Sequence, residues 1–107
     1  MADLNLLLTE LSICALPFDH DEADLWTVRV AWRGGDRYAV CLRGYVLAVG
    51  HPEPEWVYEP IPSSRTDEFK ARTWFDYATA YRLACDQAPR VTVGGKTAAD
   101  VLARADP

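Results

Sequence analysis

The chain has 107 residues, of which 50% are hydrophobic and 25% charged, and its net charge is −5 at pH 7. That length suits a single domain, residues 1–107, and the composition excludes a disordered chain. The acidic balance disfavours general attraction to nucleic acid or to an anionic membrane. No apolar run is long enough to cross a bilayer, so we expect no membrane partner.

The N-terminal residues and the cysteines favour a cytoplasmic protein. Residues 1–3 carry no basic segment, and polar residues interrupt the apolar run after them, so we expect no signal peptide. The chain has an odd number of cysteines, Cys14, Cys41 and Cys85, and none of them forms a CxxC pair. We interpret them as reduced thiols in the core.

The first predicted element is a helix. Asp3 is a suitable N-cap, and apolar residues at positions 4, 7, 8, 11 and 15 have the spacing of one helical face. Pro17 ends this helix, and an acidic connector over residues 18–24 follows.

A β-hairpin begins at Leu25, where the hydrophobic period changes to two. A three-residue loop over residues 34–36 keeps one face of the hairpin apolar, because directly opposed residues share a face. The loop sets these opposed pairs: Trp32 with Tyr38, Val30 with Val40, and Arg33 with Arg37.

Two more strands complete the predicted sheet. A two-residue turn at Arg43 and Gly44 sets Leu42 opposite Tyr45, and further along the same register sets Tyr38 opposite Val49. Residues 56–58 form a fourth, edge strand after a proline-rich break.

The second half of the chain is predicted to be mainly helical. Ser64 and Asp67 resemble a capping box for a helix over residues 66–87, which Pro89 ends. One face of this helix would be buried: Trp74, Tyr77, Ala78, Tyr81, Ala84, Cys85 and Ala88.

A short strand over residues 91–93 follows, and Thr97 caps a last helix with Val101 and Leu102 buried. The fold class is therefore α+β: a four-stranded antiparallel meander packed with two to three helices, with a short C-terminal strand and helix.

Two motifs that suggest ligand chemistry are incomplete. The string Gly94-Gly95-Lys96-Thr97 lacks the second glycine of a phosphate-binding loop, because Arg90 occupies that position, and it predicts a turn and a helix cap. The acidic connector has adjacent side chains that rarely converge on one ion, and the histidines and cysteines have no zinc spacing. We expect no metal, no cofactor and no catalytic residues, and so not an enzyme.

The sheet register gathers basic residues on its second face: Arg29, Arg33, Arg37 and Arg43. Two hypotheses stay open for them. The arginines are solvated or pair with the protein's own carboxylates, or they dock phosphates or an acidic partner by bidentate contacts.

The edge strand is a second candidate surface. Trp56 and Tyr58 alternate with Val57, so one side of this strand does not face the core. It is either an ordinary edge strand or a protein-binding or homodimer edge, because Trp and Tyr are favoured anchors and an unpaired strand edge accepts another strand.

Two segments, WTVRVAWRGGDRYAV at residues 26–40 and YEPIPSSRTDEF at residues 58–69, resemble small uncharacterised proteins of actinobacteria and their phages. The resemblance implies a phage or mobile-element origin and an accessory protein that binds a host factor. It implies no activity and no functional residue.

We therefore expect a non-catalytic binding protein that contacts another macromolecule, a protein. A nucleic-acid or phosphate-ligand binder that uses the arginine face is the alternative, and the net charge counts against it. A small enzyme whose site forms only in the fold is a third class.

Overall fold

Two tight turns with left-handed backbone organise the central strands of the structure, a computed structural model that describes residues 7–105. Gly35 lies at φ +54° in the first turn, and Arg43 and Gly44 lie at φ +54° and +96° in the second. Such turns match the twist of antiparallel strands. The elements are β1 (Glu10–Ile13), α1 (Ala23–Trp26), β2 (Val28–Gly34), β3 (Arg37–Leu42), β4 (Tyr45–Ala48), β5 (Glu55–Tyr58), α2 (Asp67–Thr73), α3 (Tyr77–Gln87), β6 (Thr92–Val93), β7 (Lys96–Thr97) and α4 (Ala98–Ala105).

The fold class is α+β, as predicted, with an antiparallel sheet in the order β1-β2-β3-β4-β5. A separate hairpin, β6-β7, precedes α4. The predicted four-stranded meander corresponds to β2 to β5, and β1 is the strand that the prediction lacks. No helix within residues 7–105 has the length and apolarity needed to span a bilayer.

The N-terminal helix prediction is wrong within the described residues. Glu10–Ile13 is a strand, in which Leu11 pairs with Val30 and Ile13 with Val28. The capping residue and the first turn of the predicted helix fall in residues 1–6, outside the described part of the chain. The ladder to β2, in which half-buried Leu11 and Ile13 lie opposite buried Val30 and Val28, outweighs the local helical spacing, because tertiary pairing overrides a weak propensity. Trp26, predicted as a strand residue, lies in the short helix α1.

The hairpin register is confirmed except at its end. Trp32 pairs with Tyr38 and Val30 with Val40, but Gly34 rather than Arg33 pairs with Arg37. Arg33 is the extra residue of a β-bulge, which turns its side chain toward a different partner.

The register of the third strand is confirmed only near its turn. Leu42 pairs with Tyr45, but Tyr38 does not face Val49. Instead, the backbone N–H groups of Tyr38 and Phe75 each donate to the other's carbonyl, at 2.7 and 2.8 Å. The N–H of Val49 donates to the carbonyl of Arg72 at 2.9 Å, so the segment 72–75 lies between the ends of β3 and β4.

This insertion divides the predicted helix 66–87 into α2 and α3. Thr66, not Ser64, caps α2 by accepting a hydrogen bond from the Phe69 N–H, and Asp76 caps α3 by accepting one from the Thr79 N–H. The predicted buried face is confirmed only in part. Ala84 and Ala88 are buried as predicted, and so is Ala80. Four residues of the predicted face are exposed: Tyr77, Ala78, Tyr81 and Cys85.

The helices lie on both faces of the sheet. On the first face, α3 contacts β2 and β3, and its alanines join the main core. On the second face, α2 contacts β4, where Val46 and Ala48 are buried. The main core comprises Leu16, Trp26, Val28, Val30, Tyr38, Val40, Leu42, Leu47, Phe75, Ala80, Ala84, Ala88, Val91 and Ala98.

The C-terminal string Gly94-Gly95-Lys96-Thr97 forms the turn of the β6-β7 hairpin, with both glycines at positive φ. The predicted cap of α4 is confirmed, because the Asp100 N–H donates to Thr97 Oγ1 and the Thr97 N–H donates to Asp100 Oδ2. Val101 is half-buried, whereas Leu102 is exposed, contrary to the prediction.

The cap of α3 has a testable pH dependence. The hydrogen bond from the Thr79 N–H holds the pKa of Asp76 below its ordinary value. The ionised Asp76 cap therefore stabilises the fold fully above the pKa of about 3.9 that Asp has in the unfolded chain. This stabilisation is lost as the pH falls through the lower pKa that Asp76 has in the folded protein. We expect Asp76→Ala to lower the Tm at neutral pH, and this difference from the wild type to shrink in acid.

Thermal melts from neutral pH down to the acid range measure this effect, with Asp76→Asn as a control that keeps an acceptor at the cap. A difference in Tm that stays constant across the pH range would contradict it.

Candidate functional site

Of the four arginines predicted for the second face of the sheet, Arg33 has the most hydrogen-bond partners. Its Nε and Nη2 atoms donate to the two carboxylate oxygens of Glu59, at 3.0 and 2.8 Å. Arg65 Nη2 lies 3.4 Å from the same carboxylate, and Arg65 Nε donates to the carbonyl of Pro60. The side chains of Arg33, Glu59 and Arg65 are only 19%, 15% and 16% exposed. This Glu59 cluster joins β2 to the chain after β5, although these strands are not neighbours.

Cys41 lies against the Glu59 cluster on the second face. Arg33 Nη2 is 3.4 Å from Cys41 Sγ. Burial raises the pKa of the Cys41 thiol, and the nearby Arg33 only partly offsets this rise. Burial opposes the charge of Arg33, but its hydrogen bond to Glu59 and the nearby negative groups keep its pKa above the ordinary value. We therefore expect Cys41 to be a protonated, slowly reacting thiol, and Arg33 to be charged.

The other three arginines have fewer partners than Arg33. Arg29 Nε lies 3.8 Å from a carboxylate oxygen of Glu10 on β1, and Arg37 Nε lies 3.8 Å from one of Asp36. Arg43 is exposed in the turn between β3 and β4. Three of the four arginines therefore have a carboxylate of the protein within 4 Å.

Part of the second face is covered by α2. A cleft of about 360 Å³ lies there, lined by Arg37, Asp67, Lys70, Ala71 and Trp74. The Lys70 ammonium lies 5.2 Å from the centre of the Trp74 ring, a cation–π distance.

The edge strand β5 divides its two aromatic residues between core and solvent. Trp56 pairs with Leu47 and packs half-buried against the core. Tyr58 pairs with Tyr45, and their side chains are 71% and 50% exposed. Their rings meet edge to face with centroids 6.4 Å apart. Tyr45, Tyr58 and the exposed Ile61, three residues further on, form what we call the tyrosine edge.

A second exposed aromatic pair lies on α3. Tyr77 and Tyr81 stack with centroids 6.2 Å apart, and Tyr77 meets the buried Tyr38 edge to face. Their spacing of four residues marks them as neighbours on one helix face, but the sequence analysis assigned that face to the core.

Two kinds of side-chain grouping that serve catalysis or metal binding can be compared with the structure of residues 7–105. None of the hydrogen bonds found among residues 7–105 joins a Cys or Ser to a His. No three or more His, Cys, Asp or Glu side chains of this part of the chain are grouped as metal ligands. The prediction that the cysteines are core thiols is wrong for Cys85, which is exposed.

No protein-family model, curated protein or solved structure matches this chain. The resemblance to actinobacterial and phage proteins therefore stays a prediction.

The Glu59 cluster should stabilise the fold. Glu59→Gln would leave two largely buried guanidinium groups without their carboxylate, and we expect the free energy of unfolding to fall by about 2 kcal/mol. Urea unfolding measures this change. Asp36→Asn is the matched control, because its pair with Arg37 is exposed and its loss should cost less than about 0.5 kcal/mol. Equal effects of the two substitutions would contradict the structural role of the cluster.

The cysteines should differ in reactivity. Because its raised pKa keeps Cys41 protonated, we expect a thiol reagent at about pH 8 to label the exposed Cys85 first. Absorbance stopped-flow with Ellman's reagent would resolve the phases, and Cys85→Ser should remove the fast one. A fast phase that survives in this variant would assign it to another cysteine.

Proposed function

We propose that this chain is a non-catalytic binding protein that docks another protein on its tyrosine edge. The observation that carries the proposal is the pair Tyr45 and Tyr58, two large aromatic side chains held together and at least half exposed. Tyrosine supplies contact area at low entropic cost and is enriched among the residues that dominate binding energy.

The backbone of β5 supports the same surface. β5 is the last strand of the sheet, so its outer edge pairs with no other strand of residues 7–105. An extended segment of a partner could add to this edge by main-chain hydrogen bonds while Tyr58 contacts its side chains. The resemblance to phage proteins makes a host protein the partner that we propose, in the cytoplasm.

The alternative function, binding of nucleic acid or a phosphate ligand by the arginine face, has weaker support. Arg29, Arg33 and Arg37 each have a carboxylate within 4 Å, which lowers the potential that a phosphate would meet.

Site-specific photo-crosslinking tests the proposal. A benzophenone amino acid is placed at position 58, or at position 81 as a control on the exposed face of α3, and the protein is irradiated in cells of an actinobacterial host. We expect one host protein to be linked from position 58 only. With that purified partner, the double substitution Tyr45→Ala and Tyr58→Ala should weaken binding at least about tenfold.

Two results would overturn the proposal. Equal crosslinking from positions 58 and 81 would show nonspecific contact. Linkage of the chain only to itself, with a dimer in sedimentation, would make the tyrosine edge a homodimer interface.

A further inference from the structure

A cleft lies between the N-terminal connector and the C-terminal hairpin, on elements other than those of the tyrosine edge. Its volume is about 450 Å³, within the range of small-molecule sites. Its lining residues come from the connector, α1, the β6-β7 hairpin and α4: His20, Glu22, Trp26, Val93, Lys96, Val101 and Arg104.

The cationic side of this cleft is set by local geometry. Lys96 stands opposite Val93 in the hairpin, so the two side chains share a face. Arg104 follows Val101 by three positions on α4, which places them on the same side of the helix. Neither cation forms an ion pair with a carboxylate of residues 7–105.

Hydrogen-bond donors outnumber acceptors around the cleft. His20 Nδ1 accepts from the Glu22 N–H at 3.1 Å, which leaves Nε2 as the ring nitrogen that can donate. Lys96 and Arg104 are donors only, and the Glu22 carboxylate is the one acidic side chain of the lining.

Trp26 adds an independent observation. Its side chain is almost fully buried at 2% exposure, and its Nε1–H has no acceptor among the described residues. A buried donor without a partner costs free energy, on the order of 1–3 kcal/mol. Because Trp26 belongs to the lining, its indole N–H reports on changes at the wall of the cleft.

We propose that this cleft binds a small organic anion, with a carboxylate or phosphate group attached to a compact apolar body. Lys96 and Arg104 hold the anionic group by charge-assisted hydrogen bonds. Trp26, Val93 and Val101 of the lining contact the apolar body. The site does not use the glycine turn as a phosphate loop, because the lining includes neither Gly94 nor Gly95.

NMR titration of the full-length ¹⁵N-labelled protein tests this site. The assigned indole N–H of Trp26 and the amides of Val93 and Lys96 are followed with four probes: phenyl phosphate, benzoate, inorganic phosphate and benzyl alcohol. We expect saturable shifts with phenyl phosphate or benzoate, and the tighter of the two identifies the anionic group. Inorganic phosphate should bind more weakly, and benzyl alcohol should produce no shifts.

Variants locate the effect at the cleft. The exposed double substitution Lys96→Gln and Arg104→Gln should weaken the tighter probe at least about tenfold. Arg82→Gln, an exposed arginine of α3 outside the cleft, is the matched control and should leave affinity unchanged. The proposal is overturned by an absence of shifts with both organic anions, by equal binding of benzyl alcohol, or by unchanged affinity in the double variant.

Discussion

The exchange of backbone hydrogen bonds between Tyr38 and Phe75 determines the rest of the architecture. Because this segment occupies the place beside β3 where β4 would continue, the chain crosses the plane of the sheet between α2 and α3. One helix therefore packs on each face, although both derive from a single stretch of helix-forming sequence. The crossing segment also forms part of the α2 cleft, because Trp74 is one of its lining residues.

The connector before α2 supplies the partners of one second-face arginine. The connector that leads from β5 to α2 places Glu59 and Arg65 against Arg33, so charges from distant parts of the chain neutralise one another on the second face. Removing charge from water is costly, and only the bidentate geometry and the additional hydrogen bonds offset that cost. The cluster holds the free end of the sheet to β2, and its arginines are not free to contact a phosphate.

The sequence predicted the features that depend on near neighbours. The hairpin of Trp32 and Tyr38 follows from alternation and turn residues, and the cap at Thr97 follows from the preference of threonine for the N-cap position. The strand at Leu11 was missed because its partner Val30 is distant in sequence and the local period is helical. The sequence does not reveal the break between α2 and α3, because the apolar spacing continues through it. Asp76, which caps α3, therefore reads as an interior residue of one long helix. The pair of Arg33 and Glu59 joins residues 26 positions apart and forms only because a bulge redirects Arg33.

Net charge and local charge lead to different partners in this protein. At physiological ionic strength the screening length is about 8 Å, so the overall charge of −5 acts on a long polyanion that must approach much of the surface. A small anion in the cleft would experience mainly the charges of Lys96 and Arg104, and that of Glu22, at short range. An acidic surface that disfavours nucleic acid is therefore compatible with the proposed small-anion site, and it would add selectivity against larger polyanions.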